Sequence, residues 1–228
     1  MIRKPAVAGA FYPDNPDILK KTIEDCFLDK RGVGEIPTLN SFDGLDYPLN
    51  IMVPHAGYQY SGAIASHGYC KLVQNGFPEV FIILSPNHTG LGSEVSVFNE
   101  GEWITPLGRV KVDEEFANSI ISNSDIATAD FAAHLYEHSI EVQLPFLQYF
   151  SNDFSIVPIT MGSQSFSASS DLAKAIFEAS KQLNKSYAVI ASTDLSHFNN
   201  QEKANTVDGF VLEDIEEMNE FKLFEEVV

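Results

Sequence analysis

Short apolar runs rich in β-branched residues alternate along the chain with longer segments that carry apolar residues at spacings of three and four. This alternation is typical of βαβ units around a central sheet, and runs that are apolar almost throughout indicate strands covered on both faces. The pattern predicts an α/β fold with a mixed, largely parallel sheet flanked by helices. The predicted strands are 49–53, 80–84, 155–159 and 187–191, and the predicted helices are 18–28, 63–73, 114–121, 140–150 and 168–183.

Three further segments depart from this alternation. Between residues 95 and 112 the apolar period changes to two, with turn residues at 99–101 and 106–108, which predicts an antiparallel extension of the sheet. The segment 31–46 contains Gly, Pro, Asn and Asp, and we expect a long surface loop there. Residues 201–228 carry nine acidic side chains among apolar residues at helical spacing, which predicts an amphipathic helix with a solvated acidic face.

Charge and composition exclude several classes of function. The 14 Lys and Arg against 32 Asp and Glu give a formal net charge of −18, which is unsuited to neutralising nucleic-acid phosphates. No segment approaches the apolar run of about 20 residues that a membrane span requires. The N-terminus lacks the apolar region of a secretory signal, so we expect a soluble, cytoplasmic protein. A chain of 228 residues is compatible with one α/β domain, 1–228.

Three of the six histidines occupy equivalent places in three predicted units. His55, His88 and His197 each lie just past the carboxyl end of a predicted strand, where open α/β sheets bind their ligands. Several imidazoles with a carboxylate or thiolate would suit iron, copper or zinc. Asp194, three residues before His197, could ligate a metal, orient a histidine or cap the following turn. The pattern predicts a metal or ligand site at these strand ends.

A competing motif lies in the middle of the chain. His134, Glu137 and His138 fit the H-x-x-E-H pattern, in which two histidines on one helix face bind zinc and the glutamate activates water. The apolar helical period begins only at residue 140, so His134 does not follow an established helix. A structural or substrate-side role for this segment is therefore favoured over a hydrolase site.

Six motifs in order resemble the Memo family, also called AmmeMemoRadiSam system protein B. The resemblance spans nearly the whole chain, and six motifs together are much more specific than any one of them. They are AVAGAFYP at 6–13, PHAGYQYSG at 54–62, LSPNH at 84–88, WITPLG at 103–108, EHSIE at 137–141 and STDLSH at 192–197.

The resemblance implies a fold similar to class III extradiol dioxygenases, whose non-haem iron(II) is held by two histidines and a carboxylate. It implies that His55 and His88 are metal ligands and that Asp194 and His197 line the same pocket. For an enzymatic mechanism we expect His197 and Asp194 to be catalytic, with His197 as general acid or base. The pocket residues in the same motifs are Tyr12, Tyr58 and His138. Iron or copper is the implied cofactor, with zinc less favoured. The implied partners are a small-molecule or peptide ligand and a radical-SAM protein.

One departure from the family concerns the third metal ligand. The family places a cysteine there, in a Cys-Gly motif near the C-terminus, whereas this sequence has no cysteine after Cys70. We therefore expect the chain to be truncated before that motif. Three hypotheses follow: a metal-binding, dioxygenase-like oxidoreductase; a non-catalytic peptide- or partner-binding module with a vestigial pocket; and, less favoured, the zinc hydrolase.

Overall fold

The computed structural model describes residues 1–42 and 49–227. They form two compact units, Met1–Thr193 and Asp194–Val228, and the prediction of a single domain stays a prediction. Two short 3-10 helices, Ala132–His134 and Glu141–Gln143, accompany the α-helices. The α-helices are α1 (Pro16–Leu28), α2 (Tyr58–Asn75), α3 (Glu114–Asn123), α4 (Leu144–Phe150), α5 (Phe166–Leu183), α6 (Gln201–Glu216) and α7 (Glu220–Val227).

A mixed sheet organises the first unit. Its strands are β1 (Ile2–Arg3), β2 (Ile51–Val53), β3 (Val80–Pro86), β4 (Val95–Val97), β5 (Glu102–Thr105), β6 (Gly108–Val112), β7 (Ala127–Ala129), β8 (Ser155–Met161) and β9 (Tyr187–Ser192). Within the described residues the main path runs β1-β5-β6-β8-β3-β9-β2, and β4 pairs with β7 and β8. Pairs β4–β8 and β5–β6 are antiparallel, and the other described pairs are parallel.

These observations confirm the predicted α/β class and the largely parallel sheet. Consecutive residues of β3 from Val80 to Ile83 are fully buried, so both faces of the central strand are covered. The helices that flank the sheet form two contacting groups, one with α1, α2 and α4 and the other with α3 and α5. The antiparallel extension is confirmed by the pairing of β5 with β6. Sequence patterning missed the strands β1 and β7, since two and three residues are too short to show a period.

The predicted helix 140–150 begins differently in the structure. A 3-10 turn, Glu141–Gln143, precedes α4, which starts at Leu144 with Pro145 in its first turn. Proline has no backbone N–H and cannot donate to a carbonyl four residues earlier, so it fits the first turn of a helix rather than its interior. The α-helix therefore begins at Leu144, and the residues before it form the tighter 3-10 turn. The predicted loop 31–46 contains no helix or strand over its described residues, and its last residues lie outside them.

The second unit carries α6 and α7 in place of the single predicted helix over 201–228. The chain breaks at Met218, which has a positive φ of 53°, and Asn219 accepts a hydrogen bond from the backbone N–H of Lys222 at the start of α7. This side-chain cap favours a new helix over continuation of the old one. The predicted solvated acidic face is not uniform, because Asp214 is buried and pairs with Lys222 at 2.6 Å. No helix in the described ranges combines the length and apolar character of a membrane span.

Candidate metal centre

Two predicted ligands follow the carboxyl ends of two strands of the sheet, where the sequence predicted them. His55 follows β2 by two residues and His88 follows β3 by two residues. Strand β9 lies between β2 and β3 and is parallel to both, so the carboxyl ends of these strands meet at one edge of the sheet. The ring centroids of His55 and His88 are 5.2 Å apart. The structure therefore brings these two imidazoles together.

A third histidine completes the group. The ring centroid of His138 is 5.5 Å from that of His55 and 4.6 Å from that of His88. One ring nitrogen from each residue lies within 4.8 Å of the others, so this group could hold a metal ion. His55 is buried, whereas the side chains of His138 and His88 are 20% and 42% exposed. The group is closed around His55 and open to solvent around His88.

Hydrogen bonds fix the protonation of His55. The hydroxyl of Ser192 donates its single proton to the Ser139 carbonyl oxygen at 2.7 Å and accepts from the Gln143 side-chain amide at 2.7 Å. Because that proton is already committed, the 3.2 Å contact between Ser192 Oγ and His55 Nδ1 requires the imidazole to donate. The lone pair of the neutral ring then resides on Nε2. Ser192 thus sets the tautomer that a metal ligand needs.

Glu137 determines which ring nitrogen of His88 donates, as Ser192 does for His55. Its Oε1 lies 2.9 Å from His88 Nδ1, and its Oε2 accepts from the His88 backbone N–H at 2.7 Å. Burial would raise the pKa of Glu137, but hydrogen bonds from His88 and Ser139 outweigh it and lower the pKa to about 2. An ionised carboxylate only accepts, so His88 donates from Nδ1, and the neutral form of the ring has its lone pair on Nε2.

The first histidine of the H-x-x-E-H motif, His134, is part of the protein interior. His134 is fully buried, its Nε2 lies 3.1 Å from the Ser96 carbonyl oxygen and its Nδ1 lies 3.2 Å from Thr160 Oγ1. Burial lowers the pKa of His134 to about 4. A glutamate with a pKa near 2 is a poor general base at neutral pH. The geometry therefore favours the structural reading of His134 and disfavours the zinc hydrolase.

The tyrosines predicted in the pocket are buried beside this segment. The Tyr58 hydroxyl donates to the Val142 carbonyl oxygen at 2.7 Å, and the Tyr12 hydroxyl donates to Glu141. Their ring centroids are 5.6 Å apart. Burial raises the pKa of both phenols, so both stay protonated donors. These contacts support the backbone after His138, and a ligand-contacting role for the tyrosines stays a prediction.

The other two predicted site residues belong to the second unit. Asp194 Oδ2 lies 3.2 Å from His197 Nε2, and the His197 side chain is 57% exposed. Of the three roles that the sequence left open for Asp194, this pairing is compatible with the one in which it orients a histidine. The roles of Asp194 and His197 in catalysis stay predictions.

Sequence reasoning underestimated the part of residues 137–139. It placed His138 in the pocket but not among the ligands, and it gave Glu137 a role only in the hydrolase motif. The contacts of Ser192 and Gln143 were also missed, because long-range hydrogen bonds to loop residues leave no periodic signal. The adjacency of a glutamate and a histidine in EHSIE was the available clue.

Comparisons with known proteins agree with the motifs. A family described as Memo-like protein matches residues 3–228. A MEMO1 family protein of Methanobrevibacter smithii is 72% identical over 228 residues, which cover 100% of this chain and 81% of the relative. MEMO1 family proteins of Thermotoga maritima and Methanocaldococcus jannaschii are each 46% identical, over all of this chain and 82% and 80% of their own lengths. The chain therefore belongs to the Memo-like protein family.

Proposed function

We propose that this protein binds a redox metal, iron or copper, through His55, His88 and His138, and that it supports redox or oxygen-dependent chemistry on a small molecule. The observation that carries the proposal is the convergence of three imidazoles from three separate segments, with one nitrogen of each within 4.8 Å of the others. The hydrogen bonds at Nδ1 of His55 and His88 add to it, since they leave Nε2 of each ring as the nitrogen that can bind a metal.

The donor set fits a transition metal in chemistry and nearly in distance. Neutral imidazole suits iron, copper, zinc and nickel. Two nitrogens that each lie about 2.1 Å from a tetrahedral ion are about 3.4 Å apart, so the observed group is wider than a loaded site by up to roughly 1.4 Å. The His138 side chain is 20% exposed, so small shifts of its ring, with adjustments of His88 that keep its hydrogen bonds to Glu137, can close this difference. The site is therefore preorganised for a metal rather than rigidly complete.

The chain's own residues supply positioning and access. A bound iron or copper ion would supply electron transfer or oxygen activation at this centre. Ser192 and Glu137 hold the imidazole rings, and the exposed side of His88 gives a small molecule a route to the centre. We retain His197, oriented by Asp194, as the proposed general acid or base from the sequence.

The test measures metal affinity under anaerobic conditions for iron(II), copper(I) and zinc. The wild-type protein is compared with the single variants His55→Ala, His88→Ala and His138→Ala. His67→Ala is the matched control, because His67 lies on α2, away from the strand-end loops, with its Nε2 2.9 Å from the Arg31 carbonyl oxygen. We expect one ion per chain and a loss of at least about 10-fold in each site variant. Wild-type affinity in all three site variants would contradict the proposal.

The second candidate is a non-catalytic module that binds a peptide or a protein partner such as a radical-SAM protein. It is favoured by the exposure of Leu135 and Tyr136, which are 44% and 72% exposed and directly precede Glu137. The net charge of −18 makes anionic peptides unfavourable partners unless the binding surface is locally positive. Partner binding that is lost in Tyr136→Ser, together with the absence of turnover in metal-loaded wild type, would favour this candidate over an enzyme.

A further inference from the structure

We propose that Glu137 is the positioning residue of the metal centre, and that it sets the ring orientation and tautomer of His88 while anchoring the backbone at His138. This inference rests on the proposed metal-binding function and deepens it. The carboxylate is buried, with 1% of Glu137 exposed, although it lies beside a histidine that is 42% exposed. A buried, ionised group at the edge of an open site requires an explanation in its contacts.

The contacts of Glu137 converge on two of the three candidate ligands. Oε2 accepts from the His88 backbone N–H at 2.7 Å, and Oε1 faces His88 Nδ1 at 2.9 Å. The same Oε1 accepts from the His138 backbone N–H at 2.9 Å and lies 3.4 Å from His138 Nδ1. Ser139 adds donors from its backbone N–H at 3.1 Å and its hydroxyl at 2.7 Å. One carboxylate therefore binds His88 through both its backbone N–H and its ring, and it also holds the backbone N–H of His138.

The two-point contact restrains an imidazole that packing alone would leave mobile. An exposed side chain ordinarily samples several rotamers on a fast timescale. Here the backbone N–H and the ring N–H of His88 both donate to one rigid carboxylate, so rotation of the ring would break a charge-assisted hydrogen bond. Histidine ligands of metals are usually held by such an acceptor, which fixes the tautomer and raises the basicity of the ligating nitrogen.

Glu137 is itself held from the protein interior. The guanidinium of Arg3 donates to the Glu137 carbonyl oxygen at 2.6 Å and to the His134 carbonyl oxygen at 3.1 Å. These bonds fix the main chain on the side away from the carboxylate. The segment 134–138 therefore presents Glu137 to His88 from an anchored backbone rather than from a free loop.

Replacement of Glu137 by glutamine separates positioning from packing. Glutamine has nearly the same shape, but one of its two terminal atoms is an amide that only donates. That amide would face either the backbone N–H or the ring N–H of His88, so one of the two contacts becomes donor against donor. The ring must then change its tautomer or turn away, whereas the volume of the side chain is preserved.

Glu141→Gln is the matched control. Glu141 is also a buried carboxylate of this segment, but it accepts from Arg3, from the Tyr12 hydroxyl and from the backbone N–H groups of Ala6 and Val7. None of these donors is a histidine. Both substitutions remove one buried negative charge, and only Glu137→Gln removes it from the partner of a candidate ligand.

The experiment combines two measurements. The first is zinc affinity by chelator competition for wild type, Glu137→Gln and Glu141→Gln. The second is the tautomer of His88 in metal-free protein, from long-range ¹H–¹⁵N spectra, with the signal assigned through His88→Ala. We expect wild-type His88 to be protonated on Nδ1, and Glu137→Gln to lose zinc affinity 10- to 100-fold with an altered His88 tautomer. Glu141→Gln should keep the wild-type tautomer of His88 and lose less zinc affinity than Glu137→Gln.

The outcomes distinguish the two proposals. Wild-type zinc affinity in Glu137→Gln, or a wild-type His88 protonated on Nε2, would overturn the role of Glu137. The tautomer measurement on wild type needs no variant other than the assignment control, so it decides the matter even if Glu137→Gln fails to fold. A wild-type protein that binds none of iron(II), copper(I) and zinc would overturn the metal-binding function, while the tautomer would still report whether Glu137 holds His88.

Discussion

Replacement of Arg3 by methionine tests whether this buried side chain of the N-terminal strand stabilises the segment that carries the centre. Arg3 is 1% exposed and donates to the Glu141 carboxylate and to two carbonyl oxygens of residues 134–138. Its guanidinium carbon lies 4.4 Å from the centroid of the Trp103 ring. Methionine keeps much of the side-chain length but removes the charge and every donor.

The expected loss of folding free energy follows from the Glu141 carboxylate, which would remain buried without its arginine partner. Removal of one partner from a buried ion pair leaves the other charge uncompensated and typically costs about 3–5 kcal/mol. The remaining donors to Glu141, from Ala6, Val7 and Tyr12, limit this cost but do not neutralise the carboxylate. For a chain of this size, each kcal/mol shifts the midpoint of thermal unfolding by about 2–4 °C, so the decrease should be about 6–20 °C.

The assay is equilibrium unfolding in denaturant and by heat, followed by circular dichroism and by fluorescence. Trp103 is the single tryptophan of the chain, so its emission reports directly on the ring beneath Arg3. Lys4→Met is the matched control, because Lys4 is the exposed neighbour, and its loss should change the free energy of unfolding by less than about 0.5 kcal/mol. If Arg3→Met lowered the free energy of unfolding by less than about 1 kcal/mol, the buried ion pair would contribute no more than a single ordinary hydrogen bond, which would contradict this prediction.

Two smaller predictions concern pH and helix capping. Burial lowers the pKa of His134 from its ordinary value of 6.5 to about 4 in the folded state. Between these two pH values the unfolded chain binds a proton that the folded chain does not, so the free energy of unfolding falls as the pH drops from about 6.5 to 4. Between pH 7 and 5 His134 should account for a loss of about 2 kcal/mol, and denaturant unfolding of His134→Gln should show a flatter dependence on pH; an unchanged slope would contradict the burial argument. Asn15 caps α1 by accepting from the backbone N–H groups of Asp17 and Ile18, so Asn15→Ala should lower the free energy of unfolding by about 1 kcal/mol, and thermal unfolding indistinguishable from wild type would show that the cap is dispensable.

The sequence predicted the features that depend on local period. Runs such as 80–84 are apolar at every position, and that pattern indicates a strand covered on both faces without knowledge of its neighbours. The placement of His55 and His88 followed from the same reasoning, because parallel strands end at a common edge. The structure places their rings close together, and their role as metal ligands stays a prediction.

The parts that escaped prediction depend on contacts between distant residues. Arg3 and Glu141 are 138 positions apart, and nothing in either local sequence indicates that a two-residue strand places one beside the other. Likewise, the approach of His138 to His55 and His88 depends on residues 135–140, which lie between two 3-10 helices and form no helix or strand themselves. Periodicity carries no information about such a segment, so only the motif itself pointed to it.

The most direct measurement is an anomalous diffraction map of crystals soaked anaerobically with copper(I) or iron(II), recorded above and below the absorption edge of the metal. We expect one anomalous peak within bonding distance of nitrogen atoms from His55, His88 and His138. Well-ordered crystals that show no peak there, or a peak held by other residues of the first unit while these three histidines remain unligated, would contradict the proposed metal centre.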